Sequence, residues 1–183
     1  PAGKDTAQVD DFGMRAPNGL RTEDYPLVGG RASDLFPWPL VKNDANVFGS
    51  KAVAIPGLVA GMAKAHGAFG SLPWSDLLTP AIAEAEKGLL VDWYAQLILA
   101  GSAKSLAKFP ASRYTYLDED GYPKASAWTA LDQTRCDQSS LAATLKTLST
   151  AGPGAFYKGA LAERIVADLQ ASGGRHTLED FAS

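Results

Sequence analysis

The side chains that could perform chemistry in this chain are few and far apart. His66 and His176 are its two histidines, and Cys136 is its single cysteine. A protein zinc site needs three or four such ligands, usually at short spacing, whereas the histidines stand more than a hundred positions apart. The sequence therefore predicts no metal site. We expect His66 to be a core histidine on an apolar helix stripe, and His176 to face solvent beside a helix cap.

Two further groups could act as a nucleophile or a base. The Cys136 thiol would need a lowered pKa and a nearby base, and neither histidine is close to it in sequence. The Pro1 amine would need a rigid, partly desolvated setting, whereas small and polar residues follow it. We favour an ordinary thiol and a frayed fragment end over these two catalytic alternatives.

Carboxylates cluster at two places, Glu84 with Glu86 and the run from Asp118 to Asp120. We interpret the first pair as a solvated helix face. The second is interpreted as a turn, because the Asp-Gly pair that ends at Gly121 is a strong tight-turn signal. Within this chain the sequence predicts no catalytic residue and no cofactor-binding residue.

Two helices between Val53 and Val91 are the first elements that could position a site. Pro56 is predicted in the first turn of the earlier helix, where a missing N–H costs little. The later helix is predicted to begin at Thr79-Pro80 and to stop at Gly88. Helical spacing on the earlier helix predicts a stripe that faces a core, formed by Leu58, Met62, Ala65, His66 and Phe69.

Small residues also recur on the earlier helix, where Gly57, Gly61 and Ala65 stand four positions apart. Glycine inside a helix costs about 1 kcal/mol relative to alanine, unless close packing offsets that cost. We therefore expect a second element to lie tightly against this small-residue face.

The remaining helices are predicted from their end signals. A third helix begins at its N-cap Asp92, turns Tyr94, Leu97 and Ile98 inward, and ends near Phe109-Pro110. Residues 111–137 are predicted to be irregular, with one short hairpin.

Three later helices follow with their own caps. Ser139 or Ser140 is predicted to cap the first of them, and Gly152-Pro153 to close it. The second carries Leu161, Ile165 and Leu169 and closes at Gly173-Gly174. Thr177 with Asp180 forms a capping box for the last.

The predicted fold is mainly α, with an irregular N-terminal loop region. Residues 1–51 hold five prolines and a Gly29-Gly30 pair, which largely exclude regular helix there. Residues 52–183 carry amphipathic helices without βαβ alternation. We predict that they form the helical portion of one partial domain.

Composition argues against two classes of partner. The net charge is −3 and Lys and Arg form no polybasic run, so nucleic acid is not expected as a partner. No apolar run approaches the length needed to cross a bilayer, so we expect no membrane association. The compartment stays open.

Five segments of the chain follow one another in a recognisable order: Asp11–Pro17, Val53–Val91, Gln138–Leu145, Gly152–Lys158 and Leu161–Phe181. Their order resembles the large-subunit region of the gamma-glutamyltransferase family, N-terminal-nucleophile hydrolases that include cephalosporin acylases. Phe156-Tyr157-Lys158-Gly159, which begins in the fourth segment, is similar to the family's Phe-Tyr-x-Gly landmark. The resemblance covers nearly the whole chain.

This resemblance implies that the chain is the helical portion of the large subunit of an αββα enzyme that cuts its own precursor. A small subunit would carry a new N-terminal Thr or Ser, which attacks an amide carbonyl while its own amine acts as base. An α-amine has a pKa of about 8 and needs little perturbation for that role. The expected partners are the small subunit and a small-molecule amide. The chain contains no such nucleophile segment, so alone it would be inactive.

Arg15 is the one candidate substrate-binding residue. In the family, the Arg of an Asp-Phe-Arg segment grips the α-carboxylate of the glutamyl substrate, and Gly13 stands at that position here. The resemblance therefore implies an acyl group other than γ-glutamyl, such as glutaryl, with Arg15 as the carboxylate clamp. Equally open is a structural ion pair of Arg15 with Asp10 or Asp11.

A non-catalytic helical binding or scaffold module is the alternative function. Amphipathic helices and a small-residue face are also typical of interaction surfaces, so local features alone leave both functions open.

Overall fold

A computed structural model describes residues 7, 9–32, 36–126 and 133–183, and helices dominate them. The predicted mainly helical character is confirmed. The chain divides into two compact units, the first made of residues 1–71 with 151–183 and the second of residues 72–150. The division predicted at residue 51 stays a prediction.

The described helices and strands alternate irregularly along the chain. β1 pairs with β2 and β3 pairs with β4, both antiparallel. In chain order the elements are β1 (Leu27–Arg31), β2 (Pro39–Val41), α1 (Leu58–Phe69), α2 (Trp74–Lys87), β3 (Leu89–Leu90), α3 (Trp93–Leu106), α4 (Pro110–Tyr116), β4 (Arg135–Cys136), α5 (Ser139–Ala151), α6 (Ala160–Ala171) and α7 (Leu178–Ala182).

The core of the first unit joins residues that are distant in sequence. Ile55, which precedes α1, is buried together with Val166 of α6 and Phe181 of α7. Four partly buried side chains pack against this cluster: Phe156, Tyr157, Ile165 and Leu169. The segment before α1 is thereby fixed to the C-terminal helices.

The second unit is contiguous in sequence and buries mainly apolar side chains. The indole N–H of Trp74 donates to the carbonyl of Leu148 at 3.0 Å, and this bond links the start of α2 to the end of α5. The side chains buried in this unit are Ala85, Leu99, Leu117, Cys136, Ala142 and Leu148.

Helix α1 begins later than predicted and buries a different face. Gly57 occupies its N-cap and Leu58 is its first residue, so Pro56 lies outside the first turn. The predicted core stripe is wrong at Leu58, Met62 and Phe69, which are 61%, 51% and 39% exposed, whereas Gly61 is buried. Close packing of the small residues, not of the apolar stripe, decides the buried face.

Helix α2 begins at Trp74, so the predicted start at Thr79-Pro80 is wrong. Pro73 precedes the helix and Pro80 lies inside it. The Thr79 hydroxyl donates to the Ser75 carbonyl at 3.2 Å, which is the bond of a threonine inside a helix. The predicted stop is confirmed, because Gly88 follows the helix with φ 80°.

The N-cap of α3 is confirmed, while its inward face is not. The Asp92 carboxylate accepts the N–H of Ala95 at 2.8 Å. Tyr94, Leu97 and Ile98 are half or more exposed, and Leu99 is the buried residue of the helix. Helical periodicity alone did not identify the packed face.

The stretch predicted as irregular contains a short helix, α4, which begins at Pro110. Proline suits the first turn of a helix as well as it ends one. After α4, a backbone bridge between Leu117 and Pro123 closes the short hairpin that the Asp-Gly signal predicted.

The last three helices are confirmed, with one change of cap. Ser139 is the first residue of α5, and the carboxylate of Asp137 accepts its N–H at 2.8 Å. The predicted serine cap is therefore replaced by Asp137. The capping box of α7 is complete, because Thr177 and Asp180 each accept the other's backbone N–H.

Candidate functional site

Arg15 lies in an extended segment that pairs with the residues before α1. Its N–H donates to the carbonyl of Ile55 at 3.2 Å, and the N–H of Ile55 donates back at 2.7 Å. Because Ile55 is buried in the core, the backbone of Arg15 is fixed while its side chain is exposed.

The neighbouring Phe12 explains the glycines of α1. A Cβ at Gly57 would overlap the Phe12 carbonyl, and a Cβ at Gly61 would overlap the Phe12 ring. The close element predicted from the small-residue face is therefore the segment around Phe12. Its turn is held by the Asp11 carboxylate, which accepts the N–H of Gly13 at 2.9 Å.

A cavity of about 540 Å³ opens beside this segment. That volume lies in the range of small-molecule sites. The wall combines the 11–15 segment, the start of α1, the Tyr157-Lys158 pair and the end of α7. All of these belong to the first unit.

Positive charge predominates on the wall of the cavity. Arg15, Lys64 and Lys158 line it, together with the Asp11 carboxylate. The Lys64 ammonium contacts the Asp10 carboxylate at 2.5 Å. A surplus of cations beside a cavity favours an anionic ligand such as a carboxylate.

One edge of the Arg15 guanidinium is already engaged. Its Nη2 donates to the carbonyls of Asp180 and Ser183 at 3.3 and 2.9 Å, and to the Ser183 hydroxyl at 3.1 Å. Within the described part of the chain, Arg15 forms no ion pair with Asp10 or Asp11, and its Nε and Nη1 donate no hydrogen bond. The remaining donors could bind a carboxylate, and this role of Arg15 stays a prediction.

Gly13 is not required by the shape of its backbone. Its φ lies outside the left-handed region, and a Cβ there would come no closer than 3.3 Å to the Asp11 carboxylate. A side chain at position 13 therefore requires the Asp11 carboxylate to move by a few tenths of an ångström. Gly13 itself adds no side chain to the wall of the cavity.

Asp180 stabilises the end of α7, which forms part of the cavity wall, through hydrogen bonds to its carboxylate. Its carboxylate accepts the N–H of Asn18 at 2.9 Å and both the N–H and the hydroxyl of Thr177 at 2.8 Å. Burial works to raise the pKa of Asp180, but these hydrogen bonds outweigh it and the pKa is lowered. The ionised carboxylate thus ties α7 to the loop that follows Arg15.

His176 is buried, so the prediction that it faces solvent is wrong. Its Nε2 lies 2.9 Å from the carbonyl of Val53, and must donate to it. Its Nδ1 has no hydrogen-bond partner among the described residues. His176, which precedes the cap of α7, packs against the segment that leads to α1. This is a tertiary contact, so the residues next to His176 in the sequence did not predict it.

Cys136 and the two carboxylate clusters lie in the second unit, whereas the partly buried His66 is on α1 in the first unit and Pro1 lies outside the described residues. Burial raises the pKa of the Cys136 thiol, which disfavours the reactive thiolate. Glu84 contacts Lys87 at 2.7 Å and Glu86 contacts Lys146 on the surface. Asp118 accepts the N–H of Tyr122 in the turn. These contacts support an ordinary thiol, a solvated helix face and a turn.

Among the described residues, no three side chains of metal-binding type lie together to hold an ion. No helix there combines the length and the apolar character that crossing a bilayer requires.

Sequence reasoning did not identify Lys64, Lys158 or Tyr157 as cavity residues. The signal that could have indicated the last two is the Phe156–Gly159 landmark that contains them.

Comparison with known proteins gives consistent relatives. Glutathione hydrolase 3 of Arabidopsis thaliana is 33% identical over 146 residues, which are 79% of this chain and 22% of that protein. The acylase ACY 1 proenzyme of Pseudomonas sp. (strain SE83) is 36% identical over 138 residues, 75% of this chain and 24% of that protein. The crystal structure of Helicobacter pylori gamma-glutamyltranspeptidase matches with a TM-score of 0.77 and 27% identity, over 94% of this chain and 45% of that one.

The chain thus spans about a quarter of the length of these two curated relatives. The sequence model of the family described as Gamma-glutamyltranspeptidase matches residues 11–183, nearly the whole chain. The chain therefore belongs to the gamma-glutamyltranspeptidase family.

Proposed function

We propose that this chain is the helical portion of the large subunit of an autoprocessed, gamma-glutamyltransferase-like amidase or acyltransferase of αββα architecture. The observation that carries the proposal is the cationic cavity beside Arg15, because its wall is built from the same 11–15 segment with which the family match begins. Relatives named as glutathione hydrolase and acylase support amide chemistry.

In the proposed mechanism, the attacking hydroxyl belongs to a small subunit. Its N-terminal Thr or Ser attacks the carbonyl of a small-molecule amide, and its own α-amine takes the proton. The C–N bond of the amide then breaks, and the α-ammonium returns the proton to the departing amine. The acyl-enzyme that remains passes the acyl group to water or to an amine. With an ordinary pKa of about 8, the α-amine is a competent base near neutral pH. This chain would contribute recognition of the acyl group.

Arg15 is proposed to bind a carboxylate at the end of that acyl group. A guanidinium presents five donors in a planar fork, and Nη2 is the part of it that bonds to residues of this chain. The Nε and Nη1 donors are therefore proposed to bind the substrate. Holding Nη2 against Asp180 and Ser183 would orient the fork before the substrate arrives.

The acyl group is proposed to be glutaryl-like. A glutaryl group is a γ-glutamyl group without its α-ammonium, so both carry the carboxylate that Arg15 would bind. The Asp-Phe-Arg arginine grips the α-carboxylate of a glutamyl substrate, and Gly13 provides no side chain in its place. The two acyl groups differ in the α-ammonium, which the surplus of cations on the cavity wall disfavours. We therefore expect the wild-type enzyme to cleave glutaryl-p-nitroanilide more efficiently than γ-glutamyl-p-nitroanilide.

Replacing Arg15 in the full-length, autoprocessed enzyme tests the clamp. Arg15→Ala should lower kcat/KM for glutaryl-p-nitroanilide about 10- to 100-fold, the usual worth of hydrogen bonds to a charged group. The kcat/KM of Arg15→Lys should lie between those of wild type and Arg15→Ala, because lysine keeps the charge and lacks the planar fork. The pentanoyl analogue, which has a methyl in place of the carboxylate, should be cleaved equally by all three.

Arg21→Ala is the matched control, because Arg21 is an exposed arginine of the same N-terminal region that lies outside the cavity wall. Equal losses with the glutaryl and pentanoyl substrates would remove Arg15 from acyl recognition. An enzyme that cleaves none of these amides would favour the non-catalytic module instead.

Placing an arginine at position 13 tests whether that position faces the bound carboxylate. Glutaryl and γ-glutamyl groups share the carboxylate, so Gly13→Arg should raise kcat/KM for both about tenfold relative to the pentanoyl analogue, through a second guanidinium beside the carboxylate. Gly13→Ala, which adds a Cβ without charge, should leave this ratio unchanged. A processed Gly13→Arg enzyme with the wild-type ratio would contradict the placement of position 13 beside the carboxylate.

A further inference from the structure

The Phe-Tyr-x-Gly landmark contains a hydroxyl that bonds in both directions. Tyr157 Oη donates to the carbonyl of Pro56 at 2.9 Å and accepts the N–H of Ala60 at 3.0 Å. These partners lie 101 and 97 positions away in sequence. One hydroxyl therefore joins the turn after the 3-10 helix at Pro153–Phe156 to the start of α1.

Helix α1 requires such a group because its own N-cap cannot supply one. The first N–H groups of a helix have no partner inside it, and a Ser, Thr, Asp or Asn side chain at the N-cap usually accepts one of them. Gly57 has no side chain, and Phe12 leaves no room for one. Ala60 is the third helical residue, whose N–H an N-cap side chain would ordinarily bind, and Tyr157 accepts it instead.

The stretch that Tyr157 fixes is also the support of the Arg15 segment. Pro56 directly follows Ile55, whose backbone pairs with that of Arg15. At its other end Gly57 packs on Phe12. A shift at the start of α1 would therefore move the segment from Phe12 to Arg15 against the cavity.

The ring of Tyr157 is anchored well enough to act as such a support. It packs edge-on against Phe156, with 5.1 Å between ring centroids, and Phe156 stacks on Phe181 at 6.5 Å. Phe181 is 2% exposed and belongs to the core of the first unit. Through its hydroxyl, Tyr157 thus fixes the start of α1 relative to the core of the first unit.

We propose that Tyr157 is a positioning residue that sets where the Arg15 guanidinium stands relative to the cavity. This inference rests on the proposed function of Arg15. Tyr157 acts through the backbone of residues 55–60 and requires no contact with the substrate. It assigns a physical role to the Phe-Tyr-x-Gly landmark.

The test uses Tyr157→Phe in the full-length, processed enzyme, with Tyr25→Phe as the matched control. Tyr25 also donates its hydroxyl to a backbone carbonyl, that of Lys51 at 2.8 Å, away from the cavity wall. Tyr157→Phe should raise KM for glutaryl-p-nitroanilide about tenfold and change kcat less than about twofold, because binding geometry and not chemistry is disturbed. Tyr25→Phe should change neither KM nor kcat. Cleavage of the pentanoyl substrate should be the same in wild type, Tyr157→Phe and Tyr25→Phe.

A double-mutant cycle separates positioning of Arg15 from general weakening of the fold. In an Arg15→Ala background, Tyr157→Phe should produce no further rise in KM, because the group that it positions is gone. If the increases in KM caused by Tyr157→Phe and Arg15→Ala were additive, the inference would be overturned. It would also be overturned if Tyr157→Phe left KM unchanged while Arg15→Ala lowered glutaryl cleavage.

Amide hydrogen exchange gives a readout that does not depend on activity. Tyr157→Phe should speed exchange at residues 58–61 and 12–15, and Tyr25→Phe should not. If exchange rises in both segments but Arg15→Ala leaves glutaryl cleavage intact, the proposed function fails and the mechanical link stands. If Arg15→Ala is impaired but exchange in Tyr157→Phe equals wild type, the inference alone fails.

Discussion

The two units of this chain are stabilised by different kinds of contact. In the first unit, polar side chains join residues more than a hundred positions apart. Asn18 donates its N–H to Asp180 across 162 positions, and the Ser50 hydroxyl donates to the Ser172 carbonyl across 122. Asp180 and Ser50 are both buried, so each of these bonds has one end in the folded interior.

The second unit is one continuous stretch and has mostly local polar contacts. Asp92 bonds to Ala95 three positions on, and Asp118 to Tyr122 four positions on. Its buried side chains are almost all apolar. Among the described residues its long-range polar links are fewer, and they include three: the Trp74 indole donates to the Leu148 carbonyl, Arg135 donates to the Gly88 carbonyl, and Lys146 pairs with Glu86.

This difference follows from how each unit is connected. The entropic cost of closing a loop rises with its length, so the two segments of the first unit need contacts that fix them together in one register. Directional hydrogen bonds from buried carboxylate and hydroxyl groups provide that specificity. The cavity lies where these two segments meet, so the same bonds that assemble the first unit also support the candidate site.

The sharpest test of this comparison replaces one capping aspartate in each unit. Asp180→Ala should lower the free energy of unfolding by about 3 kcal/mol, because it removes a buried carboxylate and the three hydrogen bonds that it accepts from Asn18 and Thr177. Asp92→Ala, which removes an exposed N-cap, should cost about 1 kcal/mol. Urea denaturation of the processed enzyme measures both.

Equal costs for the two substitutions would break the comparison, since Asp180 would then act only as a local cap. Asn18→Ala gives an additional check. It removes only a side chain, and because the N–H that binds Asp180 belongs to the backbone, stability should change little.

The local signals in the sequence predicted the ends of elements better than their packing. The capping box of Thr177 and Asp180 depends on a spacing of three and was predicted correctly, but nothing in that spacing indicated Asn18 as a third partner. His176 was misassigned to solvent for the same reason, because the carbonyl that covers it belongs to Val53. Contacts between distant segments leave no periodic mark in the sequence.

Glycine was the strongest tertiary signal that the sequence contained. The repeat at Gly57 and Gly61 predicted a closely packed element, although it did not identify Phe12 as that element. The apolar stripe on the same helix predicted the wrong buried face. For the site, Arg15 was predicted through a family landmark, whereas the hydroxyl of Tyr157 required coordinates before its role could be seen.

A smaller effect, the response to acid, sharpens the comparison through surface ion pairs. The hydrogen bond from Arg175, opposed by burial and assisted by Lys51, holds the pKa of Asp24 at about 2, below its ordinary value of 3.8. A lowered pKa means that the stabilisation is complete above about pH 4 and is lost as the pH falls towards 2. Asp24→Asn should therefore lower the Tm at pH 6, and its difference from wild type should vanish between pH 4 and 2.

Glu84→Gln is the matched substitution in the second unit. The hydrogen bond from Lys87 also lowers the pKa of Glu84, but both side chains of this pair are more than half exposed. Exposed pairs on one helix contribute little, so the Tm of Glu84→Gln should follow wild type at every pH. Asp24, in contrast, joins Arg175 and Lys51, which lie 151 and 27 positions away. A Tm difference between Asp24→Asn and wild type that stayed constant down to pH 2 would contradict the role of charge. Packing of the Asp24 side chain would then be what stabilises this junction.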